Sequence, residues 1–83
     1  MTVTFKLYAS LGQYLPAGAA DNQLQLDVSD GTTVLELIDR YSVPRELAFL
    51  VMINGVFIKP EDRDTQTFTD GDTLAIWPPV AGG

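Results

Sequence analysis

The residues of this chain that point to chemistry lie together in its last six positions, Pro78-Pro79-Val80-Ala81-Gly82-Gly83. No cysteine or histidine occurs anywhere in the 83 residues. Disulfides, thiolate metal sites and a cysteine nucleophile are thereby excluded, as are the commonest general base and the commonest metal ligand. An independent catalytic centre is not expected, nor is a metal site. Carboxylate and serine chemistry remain open but lack the usual helper, and the tail presents a carboxylate at Gly83. Proline fixes φ and favours an extended path, and glycine lets a backbone enter a channel too narrow for any side chain. Six extended residues reach about 20 Å. Glycine supplies about 7% of average sequence, so a terminal pair arises by chance in roughly one chain in two hundred. Two readings stay open for the tail by itself: a tether that places one carboxylate inside another protein, or an inert terminus or cloning remnant.

Stepping outward from the tail, 83 residues make one domain, and a composition of 46% hydrophobic and 19% charged residues is that of a globular chain. A core of this size is only just sufficient. The net charge of −6 disfavours nucleic acid and anionic membranes. The opening Met1-Thr2-Val3-Thr4 runs directly into an alternating strand, so no signal peptide is expected, and no apolar run reaches membrane-spanning length. The expected location is cytoplasmic.

The elements that must carry the tail follow from periodicity. Residues 2–9 alternate, with Val3, Phe5 and Leu7 on one face, as a half-buried strand does. Ser10 is positioned to cap a short helical turn that buries Leu11, Tyr14 and Leu15 and ends at Pro16 and Gly18. Leu24, Leu26 and Val28 mark a second strand. Val34, Leu37, Ile38 and Tyr41 have helical spacing, with Thr33 and Glu36 as a capping box and Glu36–Arg40 as an outward i,i+4 pair. Pro44 stops that helix and opens a short turn through Leu47. Phe49 to Ile53 is a continuous apolar run, expected as a central strand covered on both faces. Asn54-Gly55 is a strong hairpin signal, returning through Val56-Phe57-Ile58. Residues 60–67 form a polar loop, Asp70-Gly71-Asp72 a tight turn, and Thr73 to Trp77 the last strand, which Pro78 ends. In that strand Leu74 and Ile76 share one face, Ala75 and Trp77 the other. The order β-turn-β-α-β-β-β makes the class α+β, a mixed sheet of four to five strands against one main helix. Residues 1–77 form the domain and 78–83 its extended tail.

This order and ending resemble the β-grasp, ubiquitin-like sulfur carriers, namely the small subunit of molybdopterin synthase (MoaD) and the thiamine sulfur carrier (ThiS). The match is carried by Ile53-Asn54-Gly55 and by the run from Phe68 through Asp70-Gly71-Asp72 and Trp77-Pro78-Pro79 to Gly82-Gly83. The DGD turn, the aromatic strand end and the PPxxGG tail are similar to MoaD in particular. The first helical turn, Ala9-Ser10-Leu11-Gly12-Gln13, lacks the arginine that such chains often carry there. The resemblance implies that an E1-like adenylating enzyme, using ATP and Mg, activates Gly83, and that a sulfurtransferase then supplies sulfur to make a thiocarboxylate. Pro78, Pro79, Val80, Ala81 and Gly82 would thread into the partner, and Trp77 with Ala75 would form the interface. In molybdopterin synthase a large subunit (MoaE-like) holds the pterin precursor. This chain itself would bind no cofactor.

Three other readings stand beside that one: a carrier for another acceptor in thiamine, cysteine or tRNA thiolation, a ubiquitin-like modifier conjugated through Gly83, and a β-grasp interaction module with an inert tail. Trp77 likewise has two readings, as interface anchor or as a lid on the end of the core. Glu61, Asp62 and Asp64 do not have the spacing of a calcium loop, and Arg63 interrupts them. A solvated loop is expected there, and Asp70 and Asp72 are expected to be turn formers.

Overall fold

Strict alternation at the start of the chain decides the architecture: Val3, Phe5 and Leu7 are fully buried, while Thr2, Thr4 and Lys6 between them stay partly open. The computed structural model describes residues 1–79. The expectations for Val80, Ala81, Gly82 and Gly83 therefore fall outside the described residues. Strand β1 (Thr2–Leu7) is followed by a 3-10 turn at Ala9–Tyr14, β2 (Gln23–Asp27), helix α1 (Val34–Arg40), a 3-10 turn at Arg45–Leu47, β3 (Leu50–Ile53), β4 (Val56–Phe57), a third 3-10 turn at Pro60–Asp62, and β5 (Thr73–Trp77). The sheet has five strands in the order β2-β1-β5-β3-β4. The β1–β5 pair is parallel and the other neighbours are antiparallel.

The core lies between the sheet and α1. Val3, Phe5, Leu7, Val51, Leu74 and Ile76 from the strands meet Val34, Leu37 and Ile38 from the helix. Phe5 packs on Tyr41 with ring centroids 5.1 Å apart. Three free amides at the start of α1 find separate acceptors. The Val34 and Leu35 N–H groups donate to the carbonyls of Gln66 and Arg63, both at 2.9 Å, and the Glu36 N–H donates to Thr33 Oγ1 at 3.2 Å. The loop before β5 thus caps the helix as Thr33 does.

Several local expectations are corrected. Tyr8, not Ser10, is the N-cap of the first 3-10 turn, with no side-chain capping bond, and only Leu11 of its three apolar residues is fully buried. Among the described residues the ion pair at α1 is Arg45–Asp39 at 2.6 Å, not Glu36–Arg40: the turn after Pro44 brings Arg45 back against the helix. Strand β3 is not covered on both faces. Phe49 is 63% exposed, and Leu50 and Met52 are only half-buried, because the helix covers one face of the sheet. The central place belongs to β5. The polar loop at 60–67 contains a short 3-10 turn and a residue, Arg63, that is 7% exposed.

Candidate functional site: the root of the C-terminal tail

Central placement gives β5 a partner on each side up to its last residue. Leu74 and Ile76 are fully buried against the helix. Ala75 and Trp77 face the other way, as alternation requires. The last antiparallel rung joins Leu50 to Trp77, and the Phe49 N–H donates to the Trp77 carbonyl at 3.1 Å. Pro78 has no N–H, so the ladder stops there. From the β1 side, the Tyr8 N–H donates to the Ile76 carbonyl at 3.0 Å, and the Tyr8 ring stacks on Trp77 with centroids 4.3 Å apart and planes within 1°. Trp77 is half-buried by that stack, Ala75 is flush with the sheet at 9% exposure, and Pro79 is exposed.

Register extends this corner into a surface. Lys6, Ala75, Met52 and Phe57 form one row across four strands, and Leu50 and Trp77 form the next. With Tyr8 they make an apolar band on the face away from the helix, bounded by Lys6. Phe57 is 47% exposed. Sequence reasoning found Trp77 and Ala75 but missed Tyr8, Leu50, Met52 and Phe57. The signal was present in the run at 49–53: a strand with apolar residues at successive positions has something to cover on both faces, and the chain provides one helix.

The turn before β5 is tied to the start of the sheet. Asp70 Oδ1 accepts from the Thr2 N–H at 2.7 Å. Asp72 accepts from the Thr69 N–H and from Asn54 Nδ2, each at 2.8 Å, and Asn54 Oδ1 accepts from the Thr73 N–H at 2.9 Å. Both aspartates are engaged in turn geometry, as expected. Among the described residues no group of three or more Asp, Glu, His or Cys side chains converges as a metal site would need. Two clefts, about 330 Å³ beside Leu15 and Asn22 and about 230 Å³ beneath Leu35 and Pro60, do not border Ala75 or Trp77. The Arg45 guanidinium, bonded to Asp39 at 2.6 and 3.1 Å, holds that carboxyl below the usual carboxylate range. Burial lowers the pKa of Arg63. The described site therefore has no general base. It consists of an apolar face beside the end of β5, where Pro78 and Pro79 leave the sheet. No helix among the described residues is long and apolar enough to cross a membrane.

A five-stranded mixed sheet grasping one helix, with a central last strand, defines a β-grasp, ubiquitin-like protein. The chain belongs to the ThiS family, whose model matches residues 12–83, and hence to the ubiquitin-like sulfur carriers. SAMP1 from Haloferax volcanii is similar at 25% identity and a TM-score of 0.69, with 100% of each chain covered. A putative molybdopterin converting factor subunit 1 from Pyrococcus furiosus shares 20% identity at a TM-score of 0.68, over 95% of this chain and 98% of that one. A third similar structure, a complex of subunits 1 and 2 of the molybdopterin-converting factor from Helicobacter pylori, shares 19% identity at a TM-score of 0.59, over 100% of both chains. No curated protein matches the sequence significantly.

Proposed function

We propose that this protein carries sulfur on Gly83 and delivers it as the small subunit of a molybdopterin synthase. The observation that carries the reading is the family match over residues 12–83, which includes the Pro78-Pro79-Val80-Ala81-Gly82-Gly83 ending. A carboxylate is a poor acyl electrophile. Attack of the Gly83 carboxylate on ATP, in an E1-like partner that binds ATP and Mg, forms an acyl-adenylate and releases pyrophosphate. A sulfurtransferase persulfide then displaces AMP to give an acyl disulfide, and a thiol reductant cleaves its S–S bond to leave a thiocarboxylate. Trp77, Ala75 and the apolar band around them dock on a large subunit that holds the pterin precursor, and the tail reaches in. That partner supplies the basic groups this chain lacks, and confinement of the sulfur at the precursor supplies the rate.

The fold likeness to one half of a two-subunit converting factor supports the choice of acceptor. The test is a single turnover: thiocarboxylated protein is mixed with a MoaE-like large subunit and the pterin precursor, and dithiolene formation is followed. Transfer of sulfur with loss of the thiocarboxylate is the expected result. A thiocarboxylate that persists there but is consumed by a thiazole-forming or tRNA-thiolating system moves the protein to the second reading, a carrier for another acceptor, which the ThiS family match also favours.

A further inference from the structure

Arg63 is 7% exposed and, among the described residues, pairs with no carboxylate. All its observed partners are backbone carbonyls: Nε donates to Ile58 at 3.2 Å, Nη1 to Ala48 at 2.7 Å and Nη2 to Phe49 at 3.2 Å. These carbonyls come from the entry and the exit of the β3–β4 hairpin, and a planar fork with several donors suits them where one ammonium does not. The shortest of these bonds is the informative one. Ala48 C=O and Phe49 N–H belong to the same peptide unit, and that N–H donates to the carbonyl of Trp77. The Trp77 carbonyl in turn belongs to the peptide bond with Pro78, where the tail begins. A charged donor on one end of a peptide fixes its plane and strengthens the hydrogen bond made at its other end. Ala48, at φ −81° and ψ 73°, has left the sheet conformation, so the strand ladder does not orient this peptide and the guanidinium does.

We infer that Arg63 is a positioning residue for the activation of Gly83: through the Ala48–Phe49 peptide it sets the direction in which the tail leaves Trp77. This inference rests on the carrier reading. Pro78 and Pro79 have fixed φ, so a change at the Trp77 carbonyl is carried into the direction of the chain beyond it, and misplacement of a reacting group by about 1 Å is enough to cost a reaction about a hundredfold. Arg63 is 7% exposed, so its variants keep the surface that a partner contacts and the defect falls on turnover.

The experiment measures Gly83 adenylation by an E1-like activating enzyme, with ATP, on the full chain and on Arg63→Lys, Arg63→Met and the exposed control Arg45→Met, below the melting temperature of each. Amide exchange at Phe49 is read by NMR in the same samples. The expected result is a kcat lower by about tenfold or more in both Arg63 variants, with KM within about twofold and faster Phe49 exchange, and an unchanged Arg45→Met. If Arg63→Met fails to fold, Arg63→Lys alone decides, since it keeps the charge and cannot bridge three carbonyls. An unchanged kcat in a folded Arg63 variant, or a change confined to KM, overturns the inference and leaves the carrier reading standing. Failure of the wild-type chain to be activated removes the carrier reading and this inference together.

Discussion

At the scale of single residues, the proposed function gives Trp77 and Gly82 separable tasks. Trp77 lies at the root of the tail and is stacked on Tyr8, so its outer surface is rigid before any partner arrives, and rigid aromatics make the strongest anchors. Trp77→Ala is expected to weaken binding to the large subunit by at least about 2 kcal/mol, or roughly thirtyfold, with circular dichroism unchanged; calorimetric titration reads the difference. Gly82→Val should leave that affinity nearly intact and abolish adenylation, because the added side chain meets the channel rather than the docking face. Asp39 illustrates a charge that does little for the fold. Its side chain is about half exposed, and its pKa is lowered first by the hydrogen bond from Arg45. The small stability it contributes is present above the unfolded-state pKa and is lost as pH falls through the lower folded one. An NMR titration should find Asp39 below the ordinary carboxylate range, and Arg45→Met should return it there.

At the scale of elements, the strands and the helix were largely legible in the sequence because their periodicities are clean. Val3, Phe5 and Leu7 alternate, and Val34, Leu37 and Ile38 repeat at helical spacing with Thr33 as cap. What could not be read was lateral order. The longest apolar run, Phe49 to Ile53, looked central, yet β3 lies between β5 and the two-residue β4, and its outward residues Leu50 and Met52 are only half-buried on the face that no helix covers. Arg63 was hidden for a related reason: a charged residue among acidic neighbours has the pattern of a solvated loop, and only the convergence of three distant carbonyls makes its burial favourable. The β3–β4 turn is a place where sequence and structure agree. Asn54 and Gly55 both have positive φ, 51° and 82°, the pair a tight primed turn requires. Asn54 also bridges to Asp72 and Thr73. Asn54→Ala loses the bridge and the short polar side chain that lets asparagine tolerate the left-handed region, and is expected to lower stability by about 1–2 kcal/mol in urea unfolding.

At the scale of the whole molecule, the two faces of the sheet differ. A core is enclosed by one helix and one face of the sheet, the other face is left apolar, and the central strand runs out at the edge of that apolar face into Pro78. Of the candidate site, Trp77 was legible by residue type and by its place at the end of the last strand, while the tail beyond Pro79 lies outside the described residues. The surrounding band required the strand register, since Tyr8 is far in the chain from Leu50, Met52 and Phe57 and joins them only through the β1–β5–β3–β4 order. A net charge of −6 fits partners that present basic surfaces around an apolar centre, and association should slow as salt is raised. The central claim is that Gly83 carries the sulfur. Its most direct test is the intact mass of the full chain after incubation with an E1-like activating enzyme, ATP and a sulfurtransferase. The account predicts a gain equal to the replacement of one oxygen by sulfur, located at Gly83 by fragmentation and absent from a chain lacking that residue. An unchanged mass, while a bona fide carrier is thiocarboxylated by its own activating enzyme in parallel and activating enzymes from the same cell leave this chain untouched, would contradict it.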